Sequence, residues 1–362
     1  MSALLGLVSF KKEININENL SHATKKIKLR PGKLSIFNDK FSFHINSSIH
    51  FKEDKNNNIF IDTENYLINF DGRIDNKNIF FKYIDVVADN DAENVLSLYK
   101  FNPQKISELS GCFSFVIYNK NTQLIEAYRD QIGIRPLYYF FNNEYFIYAT
   151  EPDFIFFSSI VKKTVNKDKV MYFVLKGNML NEETFYKDVF RLRKSSYLRI
   201  KDKNIFKSKY YEFSNLPSIK YKSDNDYANH FYELFYEVIQ NQLLTKDGKV
   251  SSMLSGGLDT SSITCLSDMI VKEKNLKIDL KTYSVTFNDV KERDFKKSYE
   301  TNYIEDVINK LQINSKIIDL DYVDVQKNLA EIQKNYPEPA YHGNKYMDFA
   351  IIDEMKRDNR SV

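Results

Sequence analysis

The chain has 362 residues, 43% of them hydrophobic, with 52 Lys and Arg against 49 Asp and Glu and a formal net charge of +3. That length suits two packed domains. The charges are interspersed, with short runs such as Lys25-Lys26 reading as solvated faces, which argues against a nucleic-acid binder. No stretch reaches the ~18 apolar residues of a membrane span. Two cysteines, Cys112 and Cys265, make no disulfide framework and fit a reduced, cytoplasmic compartment.

In chain order, "MSALLGLVSFKKE" has neither a basic leader nor a small-residue cleavage site, and it reads as a strand rather than a signal peptide. Up to about residue 213, aromatic and β-branched runs predict many short strands: "KLSIFNDKFSFHI", "YLINFDGRI", "CFSFVIYNK", "LIEAYRD", "LYYFFNNEYFIYAT" and "SYLRIKDKNIF". Asn142-Asn143 marks a hairpin tip. A helix interrupts at "ADNDAENVLSLYKF", with Asp91 as its cap. The five histidines show no metal spacing. His44 and His50 share a strand face as solvated or satisfied residues, not ligands. This is antiparallel β with some helix.

The pattern changes after "FSNLPSIKYKS". Tyr227, Phe231, Leu234, Phe235, Val238 and Ile239 lie at helical spacing, which predicts a helix with a buried face starting near Asp224. Then strands "KVSSML", "KTYSVTF" and "SKIIDLD" alternate with helices "SSITCLSDMIVKEKN" and "YETNYIEDVINKLQ", and a further helix, "YMDFAIIDEMKRDN", follows. Alternation of this kind predicts a doubly wound parallel sheet. The expected domains are 1–213 and 214–362.

"LSGGLDTSS", Leu254 to Ser262, joins the first of these strands to a helix N-terminus, where unpaired N–H groups and the helix dipole favour an anion. Gly256 and Gly257 let the backbone approach a ligand closely. Ser255, Thr260 and Ser261 add hydroxyls. Asp259 would repel a bare phosphate, so its carboxylate points to a bridging Mg²⁺. The loop is no Walker A motif: Leu34 and Val250 follow the two Gly-Lys pairs where Ser or Thr is needed. A Gly-rich turn before an N-cap is the alternative reading. Cys265, one turn on, reads as a small core residue.

The Ser-Gly-Gly-x-Asp-Thr-Ser string resembles the pyrophosphate loop of the asparagine synthetase family of AMP-forming, ATP-cleaving amide ligases. "ELSGCFSFVIYNKNTQLIEAYRDQIGIRPLYYF", with Arg129, Asp130, Gly133, Pro136 and Leu137, resembles the family's glutaminase-domain hairpin. "NFDGRIDN" is similar to its Asn-Gly-Glu-Ile-Tyr-Asn segment, and "TYSVTF" to its adenine-contacting strand. The resemblance covers nearly the whole chain. It implies an α+β, Ntn-type αββα sandwich followed by an α/β doubly wound parallel sheet of the pyrophosphate-loop ATPase type. It implies ATP and Mg²⁺ as cofactors. It also implies a nucleotide site at Leu254, Ser255, Gly256, Gly257, Leu258, Asp259, Thr260, Ser261 and Val285, with Asp259 as metal ligand. For Leu254 and Val285 alone, ordinary strand packing is the simpler reading.

Two departures qualify the resemblance. Ser2 stands where the family has its nucleophilic cysteine, and Asp71, Gly72 and Arg73 stand in the family's Asn-Gly-Glu. A carboxylate beside a developing oxyanion opposes glutamine hydrolysis, so the first domain is expected to be a degenerate glutamine pocket. β-Lactam synthetases and lasso-peptide cyclases share the loss of the cysteine. The second departure is the end: three strands are spelled out, and a fourth strand, a second Asp-Glu motif and a lysine would follow Val362. The expected function is an AMP-forming ligase acting on a small-molecule or peptide carboxylate, with a homodimer partner or a complementing C-terminal polypeptide. Neither nucleic acid nor membrane is expected. Open alternatives are a non-catalytic remnant or binding subunit, a glutamine-hydrolysing asparagine synthetase proper, and a hydrolase using Ser2.

Overall fold

The computed structural model describes residues 3–11, 13, 16–27, 33–48, 60–177, 182–243, 245, 247–287, 301–321, 324–336, 338–339 and 344–360. They form two compact units that divide between Pro217 and Ser218.

In the N-terminal unit, β1 (Ala3–Ser9), β2 (Lys33–Asn38), β3 (Ser42–Ser48), β8 (Tyr138–Phe141), β9 (Tyr145–Ala149) and β10 (Val189–Arg191) make one antiparallel sheet in the order β10-β8-β9-β1-β3-β2. A second antiparallel sheet contains β4 (Phe60–Asp62), β5 (Tyr66–Ile74), β6 (Gly111–Asn119), β7 (Leu124–Arg129), β11 (Ser196–Lys201) and β12 (Asn204–Lys209), in the order β12-β11-β7-β6-β5-β4. The apolar alternation of the strands places Leu4, Val8 and Tyr148 of one sheet against Leu67, Val116, Ala127 and Leu198 of the other.

The outward face of the first sheet, through Leu5, Leu7 and Phe43, is covered by Ala23 and Ile27 of α1 (Ile16–Ile27) and by α4 (Pro152–Ile155). The outward face of the second, through Ile68, Phe70 and Phe115, is covered by α2 (Asn78–Tyr83) and α3 (Asp91–Phe101). The unit is therefore an αββα sandwich. Because both faces of β1 are buried, its sequence is almost continuously apolar. Each large side chain buried in these layers contributes about 1.5–3 kcal/mol.

A buried polar cluster pins the two sheets together. His44 Nδ1 lies 2.8 Å from the Tyr148 hydroxyl, Asn69 Nδ2 donates to that hydroxyl at 2.9 Å, and Asn46 Nδ2 donates to Asn69 Oδ1 at 2.8 Å. Gly6 makes room for the Tyr148 ring, since a Cβ there would stand 2.3 Å from it. A one-residue slip of a strand would turn these polar groups to the wrong face. His44 is thus a core histidine bonded through Nδ1, with Nε2 buried and without a hydrogen-bond partner among the described residues; His50 lies outside the described residues. The Asn142-Asn143 tip forms as expected, with Asn142 Oδ1 accepting from Glu144 and Tyr145 N–H at 2.9 and 2.7 Å.

One local reading differs, and two helices go unread in the sequence. The cap of α3 is Asn90, whose side chain accepts from Glu93 N–H; Asp91 is the first helical residue, and its carboxylate instead accepts from Ile74 N–H at 2.8 Å. The run "VMYFVL", strand-like in composition, lies in α5 (Lys167–Lys176), set by the Asn166 cap and by Gly177 at φ +74. α1 carries too few apolar residues to stand out in sequence and is set by its packing on β1 and β3.

In the C-terminal unit, β13 (Lys249–Met253), β14 (Asp279–Thr286) and β15 (Asn314–Asp319) pair in parallel, in that order. α6 (Asp224–Gln242) and α7 (Leu258–Glu273) cover one face through Ile239, Leu243, Leu266 and Ile270 packed with Val250. α8 (Thr301–Leu311) lies beside α7. α9 (Val325–Asn335) packs with α10 (Lys345–Arg357), whose Ile351 and Met355 meet Tyr283, Val285 and Ile318 on the opposite face. Helices on both faces make this a doubly wound α/β unit. After α10, the Arg360 guanidinium donates to the carbonyls of Val250 at 2.8 Å and Asp279 at 2.9 Å and pairs with the Asp279 carboxylate.

α6 starts at Asp224 behind a Ser223–Asp226 capping box, but its buried face is not the expected one. Ile239 is buried and Phe235 half-buried, whereas Tyr227, Phe231, Leu234 and Val238 are exposed. Helical spacing gives apolarity, and only the neighbours decide which apolar stripe is covered.

Candidate functional site

β13 delivers the chain to the loop at the carboxyl end of the sheet. Leu254 is buried, and its N–H donates to Tyr283 O at 2.9 Å, continuing the strand pairing for one residue. Gly256 then turns the chain at φ +84, a conformation L side chains disfavour. Ser255 N–H donates to Thr260 Oγ1 at 3.1 Å, the two hydroxyls lie 3.0 Å apart, and Gly257 N–H donates to Ser255 Oγ at 3.3 Å. Thr260 Oγ1 donates to Gly257 O at 3.3 Å. The hydroxyls of Ser255 and Thr260 are therefore engaged in holding the loop's own shape.

Gly257 is the N-cap of α7 and has no side chain with which to cap it. The first intrahelical bond runs from Ser261 N–H to Gly257 O at 3.1 Å. The N–H groups of Leu258, Asp259 and Thr260 have no acceptor among the described residues. Three convergent donors at the positive end of a helix of 16 residues form an anion cradle. A Cβ on Gly257 would meet only Ser255 Oγ, at 3.4 Å, so glycine here is not demanded by packing; it leaves the approach to the donors clear. Leu258 is 83% exposed at the mouth.

Asp259 sits exposed on the first turn of α7. Among the described residues no cluster of three or more His, Cys, Asp or Glu gathers to hold a metal. Mg²⁺ retains several waters and takes one or two carboxylates together with substrate phosphates. A single carboxylate beside free N–H donors fits a Mg²⁺ that arrives with phosphates, not one held by protein alone. Val285 is placed differently: it is half-buried on the face that packs with Tyr283, Ile318 and Ile351, on the adjoining strand. Cys265 is half-buried one turn beyond the loop.

The residues expected to form a degenerate glutamine pocket lie in the N-terminal unit near the end of β5. Asp71 pairs across to Ser114 and Arg73 to Cys112. Gly72 lies between them at φ +130, and a Cβ there would stand 1.9 Å from the Cys112 carbonyl oxygen, so only glycine fits. The Asp71 side chain is 2% exposed, with the Arg135 guanidinium 4.0 Å away. Arg73 Nε pairs with Asp75 Oδ1 at 2.7 Å. Arg73 Nη2 and Arg135 Nε are buried without a hydrogen-bond partner among the described residues. Burial pushes the Cys112 thiol above its usual range, opposed by Arg73. The Asp71 carboxylate and the Arg135 guanidinium therefore lie at ion-pair distance but beyond hydrogen-bonding range. Ser2 lies outside the described residues. Arg135 was not visible as a site residue in the sequence: it falls 64 positions from Asp71 and is brought there by the turn in which Asp130 accepts from the N–H groups of Ile132, Gly133, Ile134 and Arg135.

Comparison with known proteins agrees with both halves. Residues 1–211 match the glutamine amidotransferase domain family and residues 230–362 match asparagine synthase. A putative glutamine-hydrolyzing asparagine synthetase 2 of Methanocaldococcus jannaschii is 26% identical over 340 residues, covering 85% of this chain and 63% of that protein. The glutamine-hydrolyzing asparagine synthetase 1 of Bacillus subtilis is 27% identical over 234 residues, covering 62% and 35%. Amidase chry2 of Gibberella zeae is 26% identical over 216 residues, covering 56% and 31%. The chain thus spans under two thirds of the length of these relatives. Among solved structures, the glutamine phosphoribosylpyrophosphate amidotransferase of B. subtilis covers 93% of this chain and 90% of that chain, at 10% identity and a TM-score of 0.40. With an amidotransferase-type domain followed by an asparagine synthase domain in one polypeptide, the chain belongs to the asparagine synthetase family.

Proposed function

We propose that the chain serves an ATP-dependent, AMP-forming amide-bond ligase, and that its C-terminal unit holds the phosphates of ATP while a small-molecule or peptide carboxylate is adenylated. The observation that carries this reading is the uncapped N-terminus of α7, where three backbone donors and Asp259 meet at the carboxyl end of β13. Asp259 would hold a Mg²⁺ that arrives with the phosphates, and the ion would supply charge neutralisation there. The N–H groups of Leu258, Asp259 and Thr260 orient the β- and γ-phosphates. The helix dipole favours the charge that grows on pyrophosphate as the carboxylate attacks the α-phosphorus and the α–β bridge breaks. An amine then displaces AMP. Leu254 and Val285, at the carboxyl ends of neighbouring strands, are the proposed contacts for the rest of the nucleotide.

The buried Asp71 carboxylate, at the position where the family resemblance expects an oxyanion-stabilising amide, supports an amine source other than glutamine hydrolysed in this chain. Titration calorimetry with Mg-ATP, followed by product analysis, tests the proposal. Mg²⁺-dependent binding, weakened in Asp259→Asn, is the expected result, together with AMP and pyrophosphate on turnover and glutamate release from glutamine at background. ADP as product, or ATP binding indifferent to both Mg²⁺ and Asp259, would overturn it. Glutamate release abolished by Ser2→Ala would instead favour a glutamine-hydrolysing synthetase.

A further inference from the structure

Away from the loop, α6 is apolar on two faces. Phe235, Ile239 and Leu243 turn into the core shared with α7. Tyr227, Phe231, Leu234 and Val238 form a second stripe that is 44%, 66%, 50% and 53% exposed. Its spacing of four, three and four residues is that of a helix–helix seam. A helix apolar on most of its circumference is ordinarily buried. Beside the stripe runs a groove of about 660 Å³ between α6 and α7, walled by Phe231, Tyr232, Ile263 and Met269 and reaching Leu258 and Asp259 at the edge of the loop.

Charge selects the occupant. α6 contains Asp224, Asp226, Glu233 and Glu237 and no Lys or Arg. Helical spacing sets Asp226, Glu233 and Glu237 along one edge of the stripe, opposite the groove. Glu233 and Glu237 are exposed and enter no ion pair among the described residues. A second copy laid on the stripe would bring acids against acids, and an anionic lipid surface would be repelled in the same way. We propose that this stripe and groove are the docking surface for an amphipathic helix of a partner polypeptide, with apolar residues at the same spacing and Lys or Arg along the flank that meets Glu233 and Glu237.

The test uses the whole chain and two labelled synthetic helical peptides of about six turns. Both carry Leu at the seam positions; one is flanked by Lys and the other by Glu. Fluorescence anisotropy should show the Lys peptide binding about tenfold more tightly than the Glu peptide, because like charges at a contact select against the wrong partner. Leu234→Glu should weaken the Lys peptide about tenfold or more, since a charge replaces a seam contact. Its thermal melting should stay unchanged because Leu234 is exposed. Glu233→Lys with Glu237→Lys should reverse the preference between peptides. Equal binding of the two peptides, no binding of the Lys peptide, or a sedimenting dimer that Leu234→Glu converts to monomer would each overturn the proposal, the last by making a second copy the occupant.

Discussion

Near the end of β5, Gly72 holds φ +130, and a Cβ there would collide with the Cys112 carbonyl oxygen at 1.9 Å; at the end of β13, Gly257 has φ −70, and a Cβ there would find its nearest neighbour at 3.4 Å. Around Gly72 the polar side chains are packed among one another, with Arg135 near Asp71 and Arg73 on Asp75. Around Gly257 the first helix N–H groups have no acceptors among the described residues. The same residue type therefore serves two ends. In the sandwich the fold demands it, and in the parallel unit packing does not, which fits the proposed ligand approach. A glycine's function is read from what surrounds the missing Cβ, not from its presence in a motif.

The contrast is sharpest under substitution. Gly72→Ala should cost about 4 kcal/mol or more, enough to unfold the N-terminal unit, because both backbone conformation and backbone contact forbid a side chain. Gly257→Ala should leave denaturant stability within about 0.5 kcal/mol. Urea unfolding of both variants checks the pair; equal losses would erase the distinction.

Acid provides the next largest separation. Burial, with a smaller contribution from Lys120, lowers the His44 imidazole to about 3. A neutral histidine buried in the native state but free to charge when unfolded makes stability complete above the unfolded value of ~6.5 and progressively lost as pH falls towards 3. Between pH 7 and pH 4 the N-terminal unit should lose about 3 kcal/mol through this residue. His44→Phe should flatten that slope. An unchanged slope would show that other groups govern acid unfolding.

Asp259→Asn should reduce Mg-ATP affinity about tenfold, ~1.4 kcal/mol, while leaving the melting temperature unaltered, because the side chain is exposed. A loss of stability in this variant would assign Asp259 a structural role. The mildest probe is trypsin. Leu216 and Ile219 are exposed in the segment joining the units, and Lys220 and Lys222 are the exposed cleavage points within it. Cleavage there should precede any cut after Arg73 in β5, Arg129 in β7 or Arg199 in β11, and an earlier cut at those residues would contradict the stability order drawn between sandwich and linker.

Much of this was legible beforehand. The strands of the N-terminal unit and the β-loop-α order around Ser255–Ser261 follow from apolar alternation and from glycine and hydroxyl placement, since these act through neighbours in sequence. The cap of α3 was misassigned because Asn90 and Asp91 have equal local claims; the long-range bond from Ile74 N–H engages Asp91 and leaves the cap to Asn90. Arg135 was overlooked for the same reason: no local pattern links it to Asp71.

By itself the sequence determined the antiparallel strands of the first unit, the parallel α/β unit and the position of the glycine-rich loop, because periodicity and turn chemistry are encoded within a few residues; the αββα layering followed only from the resemblance to a known family. The tertiary structure decided that the Ser255 and Thr260 hydroxyls hold the loop while the backbone donors stay free. It also decided that His44 is buried neutral against Tyr148 and that the outward stripe of α6 stays exposed among the described residues. Each of these depends on which surfaces meet across long sequence separations, and an apolar or polar residue carries no label for the neighbour it will find.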